Sequence, residues 1–477
     1  MKNEYDIIVV GAGSAGLAVS LFMAKTGLKT LLVDKTDKDI GGDCLNYGCV
    51  PSKALIHVSR ILHHAKEAGK FGLQISGTAD LLRATEYVKS KQGIIRKREN
   101  AGFLRHQGLD VVLGQASFHD NHAVKVNDNV YKAKKIVLAT GSRPAPLRTP
   151  GIEKVKQYNN ENLFDIADLP KRLLVVGGGP IGVEMGQAMH RLGSEVTIID
   201  RGTNILPHDD AAVTRVLLAK LQEEGVRFIP GAKITEFTTA NNAVINKDNG
   251  EILQQSFDAV LVAIGRTFEL STLELHKAGV QVKENKIVVN KYLETTNKDV
   301  LVCGDVAGDL YFSHAAEQHA RLILNNLFSP FKKKLDNSQM SWVTFTDPEV
   351  ATFGLQEDFL KRGNYRYERL EMDFSDDDRA IIDDTGYGKL ILFLSKGSVL
   401  RKTKILGGSM VAPGAGELIQ ELVLANTQQL SINSIFNKIY PYPVASRVNQ
   451  FIVVKHKERQ LTERTKKTLR FVYKLFN

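Results

Sequence analysis

Hydrophobic residues in this chain come in short runs that stop at glycines. Ile7 to Val10 run into Gly11-Ala12-Gly13-Ser14-Ala15-Gly16, Leu17 to Met23 continue at helical spacing until Gly27, and Thr30 to Val33 end at Asp34. The pattern predicts strand, helix, strand. It recurs: Leu173 to Val176, then Gly177-Gly178-Gly179-Pro180-Ile181-Gly182, a helix through Leu192 stopped by Gly193, and Val196 to Ile199 ending at Asp200. Eighteen residues separate the last motif glycine from the acid in both copies, so the chain holds an internal repeat of about 165 residues. Ile136 to Ala139, followed by Thr140-Gly141-Ser142-Arg143-Pro144, is mirrored by Val260 to Ile264 followed by Gly265-Arg266-Thr267. Val300-Leu301-Val302-Cys303-Gly304-Asp305 is a further short buried strand with an acid at its carboxyl end. Residues 331–341 read as a polar linker. Beyond them, Trp342 to Phe345 and Lys389 to Leu394, with a helix from Ala415 to Ala425, predict a separate α+β domain.

A strand, a Gly-x-Gly-x-x-Gly turn, a helix and an acid after the next strand form a dinucleotide cradle. The first two glycines let the backbone turn and approach a pyrophosphate, and the third lets helix and strand pack closely. The helix N-terminus offers amide donors and a positive dipole end to the phosphates. Asp34 and Asp200 then stand where ribose hydroxyls would be accepted, so two dinucleotides are implied. An acid at Asp200 favours an unphosphorylated ribose, hence NADH, while Arg201 beside it leaves NADPH open.

Composition narrows the class. The 477 residues are 43% hydrophobic and 24% charged, a soluble globular composition of two to four domains. No apolar run approaches the length of a transmembrane helix, and the opening Met1 to Asp6 carries charges of both signs where a secretory signal would be apolar. The cytoplasm is the expected compartment. Net charge is +10, but residues 455–477 hold eight Lys and Arg against two Glu, +6 of that total. The main body is therefore no polyanion surface, and nucleic acid is not expected as a partner. The tail's apolar residues Leu461, Leu469, Val472 and Phe476 fall on one helical face, which either packs on a dimer partner or lies on a membrane.

Two of the three cysteines, Cys44 and Cys49, sit in Gly41-Gly42-Asp43-Cys44-Leu45-Asn46-Tyr47-Gly48-Cys49-Val50-Pro51-Ser52-Lys53. Pro51 fits the first turn of a helix running to about Ala65, with Cys49 beside its N-terminus and Lys53 one turn on. Both features favour a Cys49 thiolate, and the spacer lets Cys44 reach back toward it. Asp43 is expected to raise the Cys44 thiol. Cys303 reads as a small core residue, and His314 and His319 lack partners at metal-ligand spacing, so no metal site is expected.

With these pieces in order, GAGSAG at 11–16, GGDCLNYGCVPSKAL at 41–55, ATGSRP at 139–144, GGGPIGVEMG at 177–186, AIGRT at 263–267 and CGDVAG at 303–308, the chain resembles the class I pyridine nucleotide-disulfide oxidoreductases. That family includes dihydrolipoamide dehydrogenase, glutathione reductase and mercuric reductase, and the resemblance spans nearly the full length. It implies an α/β fold with two Rossmann-like dinucleotide-binding domains and a C-terminal α+β dimerisation domain. FAD would be held by residues 1–150 and the return segment 271–335, NAD(P)H by 151–270, and a homodimer formed through 336–454, with 455–477 as a basic tail. The cofactor contacts implied are Gly11, Gly13, Ser14, Gly16, Asp34, Gly42, Asp43, Lys53, Thr140, Gly141, Gly304 and Asp305 for FAD, and Gly177, Gly179, Gly182, Asp200, Gly265 and Arg266 for NAD(P)H. Asp305 would hold the flavin side chain. A Cys44–Cys49 disulfide would lie against the flavin, Cys49 being the charge-transfer thiol and Cys44 the interchange thiol that meets substrate. Lys53 and Glu184 would pair near the flavin N5.

The sequence departs from the family where disulfide-reducing members carry His-Pro-Thr-x-x-Glu near the C-terminus. Tyr442 stands in place of the histidine and Arg447 in place of the glutamate. A phenol titrating near 10 is a poor proton relay at neutrality, and acid–base help is typically worth about 10²–10⁴-fold. Tyr442-Pro443 is also a candidate cis peptide. No cysteine follows Cys303, so the second cysteine pair of mercuric reductases is missing. The expected chemistry is NADH oxidation through flavin and disulfide to an acceptor needing no histidine: a quinone, a metal ion or a protein's electron carrier. Diaphorase-like turnover that bypasses the cysteines, and a redox sensor without efficient turnover, are the alternatives.

Overall fold

A computed structural model describes residues 3–397 and 402–477. The chain divides into two compact units, one comprising the residues up to Arg201 together with Phe228–Asp336, the other Gly202–Arg227 together with Asn337–Asn477.

The first unit is built on two sheets whose central strands are parallel. In the first sheet, β1 (Glu4–Val10) lies between β2 (Thr30–Asp34) and the strand Asn129–Leu138, all parallel. Asp110–Leu113 extends the sheet beyond β2, and the antiparallel strands Ala123–Val126 and Ala116–Asp120 extend it on the other side. The late strand Val300–Val302 returns to pair with Asn129–Leu138. Register aligns three chain turns: Val10 pairs with Leu138 and Leu138 with Val302, so Gly11, Ala139 and Cys303 leave the sheet together at its carboxyl edge. Ligands of open α/β sheets bind at that edge. These strands read as continuous apolar runs because both faces of the sheet are covered; Ile7 and Val9 pack into one cluster with helix residues such as Leu17 and Ile323, and Ile8 and Val10 into another with Phe118, Val124 and Phe268.

The second sheet runs Arg227–Ile229, Glu195–Ile199, Arg172–Val176, Ala259–Val262 and Gln157–Tyr158. The two segments read as mirror images in the sequence pair with each other, Arg143 opposite Thr267 and Pro144 opposite Arg266.

The second unit holds a five-stranded antiparallel sheet, Ser341–Thr344, Glu349–Gly354, Ile405–Ala412, Lys389–Ser395 and Tyr367–Asp373, over a core including Phe353, Leu392 and Met410. The helix Ala211–Glu224 packs on this sheet. Asp209, buried just before that helix, accepts from Trp342 Nε1 at 2.9 Å and Thr352 Oγ1 at 2.6 Å, and Arg369 pairs with Asp210. The expected helix from Ala415 to Ala425 is broken at Ile419 into Ala415–Leu418 and Gln420–Thr427. Its first turn is tied down by the Gly416 amide donating to buried Glu349 at 3.0 Å. The terminal helix spans Glu463–Phe476, capped by Thr462. Among the described residues no helix is long and apolar enough to cross a membrane.

Candidate active site

The two glycine turns show why the repeat needs glycine. A Cβ on Gly16 would lie 1.8 Å from the Gly11 carbonyl oxygen, and one on Gly182 would lie 1.9 Å from the Gly177 oxygen. A Cβ on Gly11 or Gly177 would strike the Ala139 or Ala263 carbonyl at 2.4 and 2.3 Å. Helix α1 (Ser14–Lys25) therefore starts with its axis almost touching the strand it follows, as does Pro180–Leu192. The acids close each turn alike: the Ala12 amide donates to Asp34 Oδ2 at 2.7 Å and the Gly178 amide to Asp200 Oδ2 at 2.6 Å. Both hydrogen bonds span 22 residues, the physical signature of the repeat. Burial pushes the Asp34 carboxyl up, against the Ala12 and Lys35 amides that stabilise its anion.

Both cradles fit a dinucleotide. A side chain at Gly179, at the N-terminus of its helix, would meet nothing within 4 Å, and Gly13 faces only the Gly42 Cα at 3.6 Å, which leaves room for phosphates at both helix starts. Gly42, with φ +60°, approaches Gly13 so closely that a Cβ would fall 2.6 Å from its Cα. This contact docks the cysteine segment against the first dinucleotide turn.

The cysteine segment folds as α2 (Gly42–Asn46) and then α3 (Cys49–Glu67). Cys49 is the first residue of α3, and Pro51 lies in its first turn, where its missing N–H costs nothing. Cys44 and Cys49 are free thiols hydrogen-bonded to each other. Cys49 is pulled down to about 6, first by the Cys44 hydrogen bond, then, against the penalty of burial, by Ser313 and the Lys53 charge. Cys44 is pushed well up by the same hydrogen bond and by burial. One proton is shared unequally, and Cys44 keeps it. Asp43, expected to raise Cys44, is not among its largest influences, which are Cys49, burial, Ser313 and Ser14; its charge also raises Cys49. Asp43 itself is held by Asn160 at 3.0 Å and Arg266 at 3.2 Å.

Lys53, one turn into α3, meets buried Glu184 at 2.7 Å. Arg266 is nearly buried and joins Ser142 Oγ at 2.5 Å, Asp43 and Asp305, so its guanidinium ties the two halves of this unit together. Asp305 accepts from Ser142 at 2.5 Å, and burial raises its carboxyl. Thr140 is exposed, and Gly141 and Gly265, at φ +69° and +120°, lie in the turns that lead into the paired strands Arg143–Pro144 and Arg266–Thr267. The Gly304 amide donates to His319 Nδ1 at 3.2 Å, and burial lowers that imidazole's pKa, so His319 stays neutral. Cys303 is fully buried.

Ser313 is the residue that sequence reasoning missed. It opens the helix Ser313–Leu327, and its Oγ lies 3.4 Å from Cys49 Sγ. No motif marks it; only its position shortly after Cys303-Gly304-Asp305 could have drawn notice. Ser14, assigned to the cofactor from its motif, also hydrogen-bonds Cys44.

In the other unit, Tyr442-Pro443 is cis, as the sequence led one to expect. The Tyr442 hydroxyl donates to Asp378 at 3.1 Å, which raises its pKa further, and Arg447 lies over its ring at 5.5 Å. No cluster of three or more His, Cys, Asp or Glu able to hold a metal is found among the described residues.

Two dinucleotide cradles sharing one compact unit, with a thiol pair docked on the first of them, define a flavin- and nicotinamide-linked dithiol oxidoreductase. The chain belongs to the pyridine nucleotide-disulphide oxidoreductase family, whose model matches residues 5–320, and the family's dimerisation domain matches 340–450. A mercuric reductase of Staphylococcus aureus is 30% identical over 446 residues, covering 92% of this chain and 80% of the relative. A dihydrolipoyl dehydrogenase of Thermus scotoductus is 33% identical over 453 residues, covering 93% and 95%. Among solved structures, the Cu(II) complex of the HOCl-induced flavoprotein disulfide reductase RclA from Escherichia coli matches with a TM-score of 0.83 at 25% identity, covering 94% of this chain and 99% of that one. The chain is thus an FAD-dependent oxidoreductase that uses NAD(P)H.

Proposed function

We propose that this enzyme passes electrons from NADH, through FAD and the Cys44–Cys49 pair, to an acceptor that needs no proton from the protein. The observation that carries the reading is the opposite displacement of the two thiols: Cys49 ionises near neutrality while Cys44 holds its proton. FAD supplies the two-electron relay between nicotinamide and sulfur. A disulfide that gains the two electrons and one proton of a hydride becomes one thiolate and one thiol, the state this pair favours. Atoms and charge then balance without a further acid: NADH and the disulfide yield NAD⁺, the Cys49 thiolate and the Cys44 thiol. Ser313 donates to the thiolate, Lys53 on α3 pairs with Glu184, and the α1 N-terminus and Asp34 would hold the flavin nucleotide.

Asp200 supports NADH over NADPH, because a ribose phosphate would stand against its carboxylate. The matched dimerisation domain supports a homodimer formed through residues 336–454. We place the enzyme in the cytoplasm, with residues 455–477 as the part able to touch a membrane. The acceptor reading turns on Tyr442 and Arg447, which supply a phenol and a cation in place of an imidazole and a carboxylate. A thiophilic metal ion is the second, more specific reading. It is favoured by the mercuric reductases among the relatives and by the Cu(II) complex of the structural neighbour.

An anaerobic titration of the yellow holoenzyme with NADH, and separately NADPH, tests the pathway. A long-wavelength thiolate-to-flavin band growing in at two electrons per flavin supports the relay, with NADH the better reductant. Direct bleaching of the flavin without that band refutes it and favours diaphorase or sensor behaviour. Turnover with Hg(II), Cu(II), a quinone and oxidised lipoamide then ranks the acceptors.

A further inference from the structure

The helix Glu463–Phe476 lies beyond residue 450, where the match to the dimerisation domain ends, and none of its residues is buried. At 100° per residue, Thr468, Leu469, Val472, Leu475 and Phe476 fall within an arc of about 120°, with Phe471 and Tyr473 on its flanks. The large side chains of this arc are 40–78% exposed. The opposite sector carries Lys466, Lys467, Arg470 and Lys474, while Arg464 borders the apolar arc between Leu475 and Phe471. Its single acid, Glu463, is taken up by Lys466 at 3.0 Å and Arg470 at 3.9 Å. Five cations against one anion, on a helix with an unpartnered apolar face, complement an anionic surface that has an apolar layer beneath it.

We infer that the helix Glu463–Phe476 is an interfacial anchor that lays the enzyme on an anionic lipid bilayer, its leucine, valine and phenylalanine side chains entering the acyl boundary and its lysines and arginines meeting the headgroups. The inference is independent of the redox reading, since it rests on residues outside the dinucleotide unit. The charge makes binding lipid-selective: each Lys or Arg near an anionic surface contributes roughly a fivefold gain in partition. Added salt weakens the attraction by screening it. Tyr473, at the margin between the two sectors, has the amphipathic ring that settles at headgroup depth.

The test is cosedimentation of the full-length holoenzyme with vesicles of phosphatidylcholine alone or mixed with phosphatidylglycerol. Binding is expected only to the mixed vesicles and to fall as salt rises. Replacing Lys466, Lys467, Arg470 and Lys474 together by Gln lowers the partition on the order of a hundredfold or more. The pair Leu469→Glu and Val472→Glu abolishes binding. NADH-dependent flavin reduction and the assembly mass by light scattering serve as folding controls and stay unchanged. The inference is overturned if the wild type remains in the supernatant with anionic vesicles at low salt, or if either variant sediments as well as the wild type. It is overturned equally if the glutamate pair converts a dimer to monomers, because the face would then be covered by a second copy of the chain.

Discussion

Replacing Cys44 by alanine is expected to move the ionisation of Cys49 from about 6 back toward the ordinary thiol range near ~8.5. The Cys44 hydrogen bond is the largest influence holding Cys49 down, and alanine removes the donor while the burial penalty persists. At pH 7, a thiol titrating at about 6 is roughly nine-tenths ionised, whereas one at ~8.5 is only a few per cent ionised. The sign follows: because the pKa is depressed, the thiolate is present above pH 6 and is lost as pH falls through it. Lys53 should matter less. Its ammonium is already engaged by Glu184 at 2.7 Å, and Cys49 reaches solvent, which screens the remaining charge. The assay is the pH dependence of the thiolate-to-flavin absorption band in the oxidised holoenzyme of the Cys44→Ala variant, where Cys49 is a lone thiol. Cys44→Ser, which keeps a donor, should hold the midpoint near that of the native pair. A midpoint that stays near 6 in the alanine variant, or moves further in Lys53→Met, refutes the assignment of the hydrogen bond as the dominant cause.

Ser313→Ala should raise the same midpoint by less than Cys44→Ala does, and Ser313→Thr should restore it, both read from the same band. Gly16→Ala and Gly182→Ala each force a Cβ to within 2 Å of a carbonyl oxygen and should cost more than ~3 kcal/mol or abolish folding, checked by denaturant unfolding and flavin content. Asp200→Ala should raise KM for NADH by about tenfold, the loss of a charge-assisted hydrogen bond, while leaving KM for NADPH nearly unchanged. Tyr442→Phe should change turnover with metal ions less than tenfold, well short of the effect of losing an acid–base catalyst, because a phenol raised by Asp378 transfers few protons at neutral pH.

Short-range signals carried much of this protein. The glycine turns are legible because a side chain at Gly16 or Gly182 has nowhere to go, and that exclusion operates within one turn of chain. The first residues of α3 are legible for a similar reason, since Pro51 tolerates only the first turn of a helix and so places Cys49 at its start. The matching positions of Asp34 and Asp200 are legible from equal spacing in the two copies, whereas their hold on the Ala12 and Gly178 amides emerged only in the fold. What spacing within the sequence left unseen lies across long separations. Ser313 reaches Cys49 over 264 residues, Arg266 gathers Ser142, Asp43 and Asp305, and the helix Ala211–Glu224 packs in the second unit although its sequence belongs to the dinucleotide repeat. The weight placed on Asp43 has the same origin. Adjacency in sequence placed its charge on Cys44, but a helical turn points neighbouring side chains apart, and Asn160 and Arg266 arrive from elsewhere to hold it.

By itself, then, the sequence determined the two dinucleotide cradles, the thiol pair at a helix start and the amphipathic tail, because each depends on sterics and periodicity that act over fewer than about twenty residues. Closure of the sheets set which groups hold the Cys49 thiolate, Cys44 and Ser313 ahead of Lys53, and which partners meet Asp43. Those properties are sums of hydrogen bonds, burial and fields from residues that the chain brings together only when its sheets close.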